Sequence, residues 1–244
     1  MKIVLDAGHG YNTPGKRSPD GLREYEFTRA VANYARNLLN TYQNVTVYFT
    51  HSDERDVPLE ARTDYANRVK ADFFVSIHAN AYGSTWNSAS GIETYVYVTK
   101  PPLAYALAQK VQRNLIASTG LRNRGVKTAD FHVLRETKMD AILCELGFYT
   151  NPEEIKLIRS EDYRRKCAEA IVKGIVEQFK LVKEKTSSTS TTTPSKPKPK
   201  TSPTSKGLYK VQVGAYANRA NAEELVRSLE SDGYDAFISF EEED

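Results

Sequence analysis

Histidine occurs four times in 244 residues. Two of the four close apolar runs: His9 follows Ile3-Val4-Leu5-Asp6-Ala7-Gly8, and His78 follows Phe73-Phe74-Val75-Ser76-Ile77. Glu145 stands within a third run, residues 141–146. A polar or charged side chain in such surroundings is costly unless it has a partner. Two imidazoles and a carboxylate make a neutral-to-anionic, borderline-soft donor set that suits Zn2+. Three protein ligands leave a fourth position for water, which zinc can acidify to a pKa of about 7 and turn into a nucleophile. A further carboxylate would serve as general base and then as acid to a leaving amine. The segments match no compact zinc-binding spacing. Taken singly, each histidine reads first as a hydrogen-bonded core or loop residue, and Glu145 equally as a salt-bridge member. The chemistry rests on the ensemble.

The elements that must position these residues alternate. Residues 2–6 predict a strand running into the Gly8-His9-Gly10 turn. Residues 24–39 carry Phe27, Val31, Tyr34, Ala35 and Leu38 at helical spacing. Strands are predicted at 45–49, 73–77, 92–98, 132–134 and 141–146. Helices are predicted at 59–69, 101–117 (with proline at its start), 152–158 and 163–181. This order implies an α/β protein: a twisted mixed sheet of about six strands with helices on both faces. In such sheets sites form at the carboxyl ends of strands, where His9 and His78 fall.

Residues 186–205 contain only six Ser, seven Thr, four Pro and three Lys. Nothing there can enter a core, so the segment predicts a disordered, partly extended linker. The expected organisation is a catalytic domain at 1–185, a linker at 186–206 and a tail at 207–244. Charge divides the same way. The first part holds 27 basic and 22 acidic residues, the linker four basic and none acidic, and the tail three basic and nine acidic. The net +3 of the whole chain is too small to argue for nucleic acid, and no reading motif is present. Two cysteines, Cys144 and Cys167, exclude a disulfide framework. Cys144 alternates with Glu145 on the strand and reads as a buried apolar residue. No apolar run approaches the roughly 18 residues of a membrane span. Asp6 interrupts the N-terminal apolar run, so no secretory signal is expected.

The blocks around these residues resemble the zinc-dependent N-acetylmuramoyl-L-alanine amidases of the amidase-3 type. The blocks are Ile3-Val4-Leu5-Asp6-Ala7-Gly8-His9-Gly10; Gly21-Leu22-Arg23-Glu24 with Ala30-Val31-Ala32; Leu59-Glu60-Ala61-Arg62 with Ala66-Asn67; Phe74-Val75-Ser76-Ile77-His78-Ala79-Asn80; Phe131-His132-Val133-Leu134-Arg135; and Leu143-Cys144-Glu145-Leu146-Gly147-Phe148 with Asn151-Pro152. The resemblance implies His9, Glu24 and His78 as zinc ligands and Glu145 as the catalytic carboxylate. Glu26 competes with Glu24, which is preferred because it directly follows Gly21-Leu22-Arg23. Thr28 stands where many members have Asn, and Asp140 where Pro is usual. The implied reaction is hydrolysis of the amide between the muramic acid lactyl group and L-alanine of the peptidoglycan stem peptide. The alternatives are a zinc peptidase acting on stem peptides and a non-catalytic wall-binding protein. Asn80 and Arg135 are candidate substrate residues, the latter equally a surface salt bridge. Arg62 is expected to pair with a carboxylate such as Asp53 or Asp56. His51 reads as a loop residue, and His132 as a residue near the site. The 11–20 segment is a loop or a substrate lip.

The tail predicts a β-α-β order: a strand at 207–216, a helix at 221–229 and a strand at 234–240. Tyr209-Lys210-Val211-Gln212-Val213-Gly214-Ala215-Tyr216 resembles one half of a SPOR-type peptidoglycan-binding module. Thirty-eight residues rarely fold alone, so the expectation is either pairing of two tails, a self-association through 207–244, or docking of the tail on another surface. Without a leader, a wall hydrolase would reach its substrate by passive release, through a phage membrane pore or on lysis of a sporulating mother cell.

Overall fold

The computed structural model describes residues 1–10, 12–13, 15–184, 219–231 and 236–240. They fall into two units, Met1–Lys185 and Thr186–Asp244, each taken by itself.

The first unit contains six strands: β1 (Lys2–Ala7), β2 (Thr46–Phe49), β3 (Phe73–Asn80), β4 (Ile92–Val96), β5 (Asn123–Thr128) and β6 (Asp140–Phe148). Its helices are α1 (Glu24–Leu39), α2 (Leu59–Arg68), α3 (Pro102–Thr119), α4 (His132–Arg135), α5 (Glu154–Arg159) and α6 (Glu161–Phe179). The strands form one mixed sheet in the order β2-β1-β3-β6-β4-β5. β6 and β4 run antiparallel, and the other neighbours are parallel.

Strand parity sorts the side chains. Ile3, Leu5 and Ala7 of β1, Val75 and Ile77 of β3, and Ile142 and Cys144 of β6 join the larger core, which α1, α3 and α6 cover. Helix α1 buries Phe27, Val31 and Ala35, its apolar face by four-residue spacing. The opposite parity, Val4, Phe74, Ala141 and Leu143, joins a smaller core with Ala66 of α2 and Val133 and Leu134 of α4. Asp6, Ser76, His78, Glu93 and Glu145 share that second parity. The smaller core thus covers only part of its face, and the rest of that face is lined by polar side chains.

Three expectations need correction. Residues 132–134 are not a strand but the start of α4, where the amides of Leu134 and Arg135 both bond to the Phe131 carbonyl at 3.0 Å. Val133 and Leu134 are both buried, and a one-turn helix can bury adjacent residues that a strand would send to opposite faces. β5 was not foreseen, because an edge strand reading Asn-Arg-Gly-Val-Lys-Thr carries no apolar alternation. The partner of Arg62 is Asp6, not Asp53 or Asp56.

In the second unit, α7 spans Arg219–Ser231, two residues longer at each end than the spacing predicts. The expected strand at 207–216 lies outside the described residues. Residues 236–240, the described part of the expected second strand, carry no strand pairing. A strand is defined by its ladder partner, and the partner segment expected there is among the residues not described. Among the described residues no helix is long and apolar enough to cross a membrane.

Candidate active site

β1 ends at Ala7, and the chain turns through Gly8 into His9, whose φ is 66°. That left-handed conformation is uncommon for a residue with a Cβ and is concentrated at functional positions. Two glycines make room for the imidazoles. A Cβ on Gly8 would lie 2.3 Å from Cε1 of His78, and one on Gly15 (φ 55°) would lie 2.6 Å from Cδ2 of His9.

Helix α1 begins at Glu24, and the side chain of Glu24 is fully buried. Its Oε2 lies 3.2 Å from Nε2 of His9, and its Oε1 lies 2.9 Å from Nδ1 of His78. The His9 and His78 rings are edge-on at 5.2 Å between centroids. Backbone amides complete the carboxylate: Lys16 donates to Oε2 at 2.6 Å and Ala79 to Oε1 at 3.2 Å. One donor atom from each of His9, Glu24 and His78 lies within 4.8 Å of the others. Burial alone would raise the Glu24 pKa, but the two imidazoles opposite hold it at about 2. Carboxylate oxygens facing ring nitrogens are favourable only with positive charge between them, either protons on the rings or a metal ion. Two imidazoles and an anionic oxygen are donors that a divalent cation of zinc type accepts, so the residues fit a metal. Glu26, the competitor, pairs on the surface with Arg23 at 3.1 Å.

Glu145 pairs in register with His78 on one side and with Glu93 on the other. Its Oε2 is sealed from solvent and has no hydrogen-bond partner among the described residues. Burial, together with the negative charges of Glu24 and Glu93, pushes its pKa well above the usual carboxylate range, while Lys16 opposes the shift. Glu93, nearly fully buried, is held by Arg124 Nε at 2.8 Å, by Lys127, by Tyr95 Oη at 2.9 Å and by Asn80 Nδ2 at 3.1 Å. These donors keep the Glu93 pKa low in spite of its burial. The row His78–Glu145–Glu93 therefore places a raised carboxylic acid between a metal-type cluster and a fixed anion.

The remaining expected site residues lie elsewhere or are engaged. Asn80 is occupied by Glu93. Arg135 is exposed and pairs with Asp130 at 2.8 Å and Glu136 at 2.7 Å. His132 approaches Thr63 Oγ1 at 3.4 Å. His51 is partly buried, and the loss of solvent around its ring pushes its pKa down to about 4. Cys144 is buried in the larger core, which raises its thiol to about 12, as befits an apolar packing residue. Gly15 and Lys16 abut the cluster, Gly15 beside the His9 ring and Lys16 bonded to Glu24, whereas Asn12 and Thr13 bond to Asp56 at 3.0 and 2.6 Å. Thr28, where many relatives of the resembled family carry Asn, donates to the Gly8 carbonyl at 3.0 Å and so braces the turn before His9. Asp140 accepts from the Ala104 amide at 3.3 Å at the start of α3.

Sequence reasoning missed Asp6, Ser76 and Glu93. The available signal was parity: each is a polar residue in an apolar strand, on the side that also carries His78 or Glu145. Asp6 accepts from Arg62 Nη1 at 2.8 Å, from Ser76 Oγ at 2.6 Å and from Thr50. Burial opposes ionisation, but Arg62 and the two hydroxyls hold the Asp6 pKa at about 2. Arg62 also donates to the carbonyls of Val57 at 2.8 Å, Ala7 at 2.6 Å and His9 at 2.6 Å, clamping the turn. Arg62→Ala leaves Asp6 buried and uncompensated, so it is expected to lower the unfolding free energy by about 3–5 kcal/mol. Because the folded pKa of Asp6 lies below its unfolded value of 3.8, its contribution of about 2 kcal/mol is complete above the unfolded value. It disappears as pH falls through about 2. Urea titrations of wild type and Arg62→Ala at pH 7 and near pH 2 should show the gap shrinking in acid. A loss under 1 kcal/mol at pH 7 would contradict this account of the pair.

Comparison with known proteins agrees with the geometry. The family model described as N-acetylmuramoyl-L-alanine amidase matches residues 3–177, and a SPOR domain model matches 205–244. N-acetylmuramoyl-L-alanine amidase CwlM of Bacillus licheniformis is 35% identical over 243 residues, covering 98% of this chain and 85% of its own length. The sporulation-specific N-acetylmuramoyl-L-alanine amidase of Bacillus subtilis is 34% identical, with 98% and 84% covered. The crystal structure of an N-acetylmuramoyl-L-alanine amidase from Clostridium difficile 630 aligns with a TM-score of 0.71 at 34% identity, covering 74% of this chain and 97% of that one. The strand parity, the His-Glu-His cluster and these matches converge, and the chain belongs to the N-acetylmuramoyl-L-alanine amidase family.

Proposed function

We propose that the protein hydrolyses the amide joining the muramic acid lactyl group to L-alanine of the stem peptide, with His9, Glu24 and His78 holding Zn2+ and Glu145 as the proton carrier. The observation that carries this reading is the unpartnered, sealed Oε2 of Glu145 on the strand next to His78 of the cluster. When bound, zinc supplies Lewis-acid polarisation of the carbonyl oxygen and acidifies water.

The protein's own residues do the rest. Glu24 is fixed by the Lys16 and Ala79 amides, so it presents its oxygens in one orientation. The clamp of Arg62 on the His9 carbonyl fixes the backbone of the first histidine. Glu145 Oε2, which would ionise once a cation in the cluster offset the Glu24 charge, accepts a proton from the attacking water. It returns a proton to the alanine nitrogen as the C–N bond breaks. The Glu93 carboxylate beside it, held by four donors, raises the proton affinity of Glu145 and so favours uptake of the proton from water. The matched SPOR segment at 205–244 supplies a second contact with peptidoglycan, tethered by the basic linker.

End-group analysis of purified cell walls digested by the protein tests the reaction. New L-alanine N-termini, with no new peptide C-termini and no new glycan reducing ends, are expected. New peptide C-termini would instead identify a stem-peptide peptidase and overturn the proposal.

A further inference from the structure

β1 and β3 are parallel with Asp6 opposite Ser76, and Ser76 and His78 lie two residues apart on one strand. All three side chains therefore line one face. Ser76 Oγ lies 2.6 Å from Asp6 Oδ2 and 3.1 Å from His78 Nε2. Ser76 and Asp6 are both almost wholly buried, so no solvent competes for these bonds.

For a neutral His78 ring the proton count along this chain has one solution. Asp6 is ionised, held by Arg62 and Thr50 through its other oxygen, and an ionised carboxylate only accepts. Ser76 has one hydroxyl proton, and Asp6 takes it. The remaining contact of Ser76 Oγ, to His78, must then be an N–H from Nε2. Nδ1 is left as the ring's lone pair, and Nδ1 is the atom that faces Glu24 at 2.9 Å. Without the relay the opposite tautomer would be favoured, because Glu24 Oε1 is itself an acceptor that would draw the ring proton onto Nδ1. A proton there blocks a metal ion.

We infer that Asp6 and Ser76 are positioning residues that hold the proton of His78 on Nε2 and so keep Nδ1 free to bind the metal. The inference rests on the reading of His78 as a metal ligand. It gives Asp6 two tasks, the ion pair with Arg62 and the orientation of the ring through Ser76.

The test is zinc affinity of the full chain by chelator competition, alongside the thermal midpoint and the downfield imidazole N–H proton resonances of the zinc-loaded protein. Ser76→Ala is expected to bind zinc about 10–100-fold more weakly than wild type. Ser76→Thr, which keeps the hydroxyl, should restore wild-type affinity. Zinc-loaded wild type should show a slowly exchanging His78 Nε2–H signal that Ser76→Ala loses. Ser76→Cys, close in size but with a weak sulfur acceptor, should behave as Ser76→Ala does, and it serves if the alanine variant does not fold. A purely structural Ser76 would lower the thermal midpoint and leave zinc affinity unchanged. Affinity within twofold of wild type in a folded Ser76→Ala or Ser76→Cys variant overturns the inference, as does a folded Ser76→Thr variant that stays weak. Failure of wild type itself to bind zinc would instead overturn the reading of His78 as ligand, and the inference with it.

Discussion

Glu145→Gln is expected to keep its zinc and its fold while turnover on purified walls falls by about 10²–10⁴-fold, the share that a positioned general acid–base contributes. The amide of Gln fills the same space but cannot take a proton from water. The variant should also be no less stable than wild type, and its thermal midpoint should be equal or higher. Glu145 stands between Glu93 and the His78–Glu24 pair, and its Oε2 has no hydrogen-bond partner among the described residues. Replacing a buried carboxylate in a row of like charges removes a cost. Activity lost together with stability would indicate a structural carboxylate; activity lost while stability holds is the signature of a catalytic one. Wall hydrolysis by Glu145→Gln at the wild-type rate would remove Glu145 from the mechanism.

The second large effect is on metal content. His9→Ala should reduce zinc affinity by more than the 10–100-fold attached to residues that only orient a ligand, and it should abolish turnover. The His9 ring is about one-third exposed, so its removal opens no core cavity. The left-handed backbone at that residue, with φ of 66°, strains alanine little more than histidine, because the penalty comes from the Cβ that both carry. Glu24→Ala should also lose zinc, but less cleanly. It strands the buried Ala79 amide, at about 1–3 kcal/mol, and frees the part-buried Lys16 amide to water. Elemental analysis after dialysis, with circular dichroism on the same samples, separates the two effects. A His9→Ala protein that retains one zinc per chain would contradict the ligand assignment.

Much of the fold was legible because its sheet is largely parallel and buried. The runs in β1, β3 and β6 announce themselves as apolar strands, and α1 shows its face by spacing. β5 was silent because an edge strand of Asn, Arg, Gly, Val, Lys and Thr is half-exposed on both sides and needs no pattern. α4 was misread because three residues, His132-Val133-Leu134, are too few to show a period. At the site, the positions of His9 and His78 followed from the ends of strands, and Glu24 came from resemblance alone. Nothing in its spacing announces that the first residue of α1 turns inward beneath two histidines. Glu93 and Ser76 were passed over because each looks like an ordinary polar residue on a strand. Their role depends on the neighbours that sheet order supplies, β6 between β3 and β4, and such order is not written in any one segment. The pairing of Arg62 went to the wrong aspartate for the same reason. Asp53 and Asp56 are near it in sequence, whereas Asp6 reaches it through the fold.

X-ray absorption at the zinc edge of the full-length, zinc-loaded protein tests the central claim most directly. The account predicts one zinc per chain with two imidazole nitrogens and carboxylate oxygen at about 2.0–2.2 Å, and no sulfur. A scattering shell at about 2.3 Å, the distance of a thiolate ligand, or a spectrum without imidazole, would contradict it.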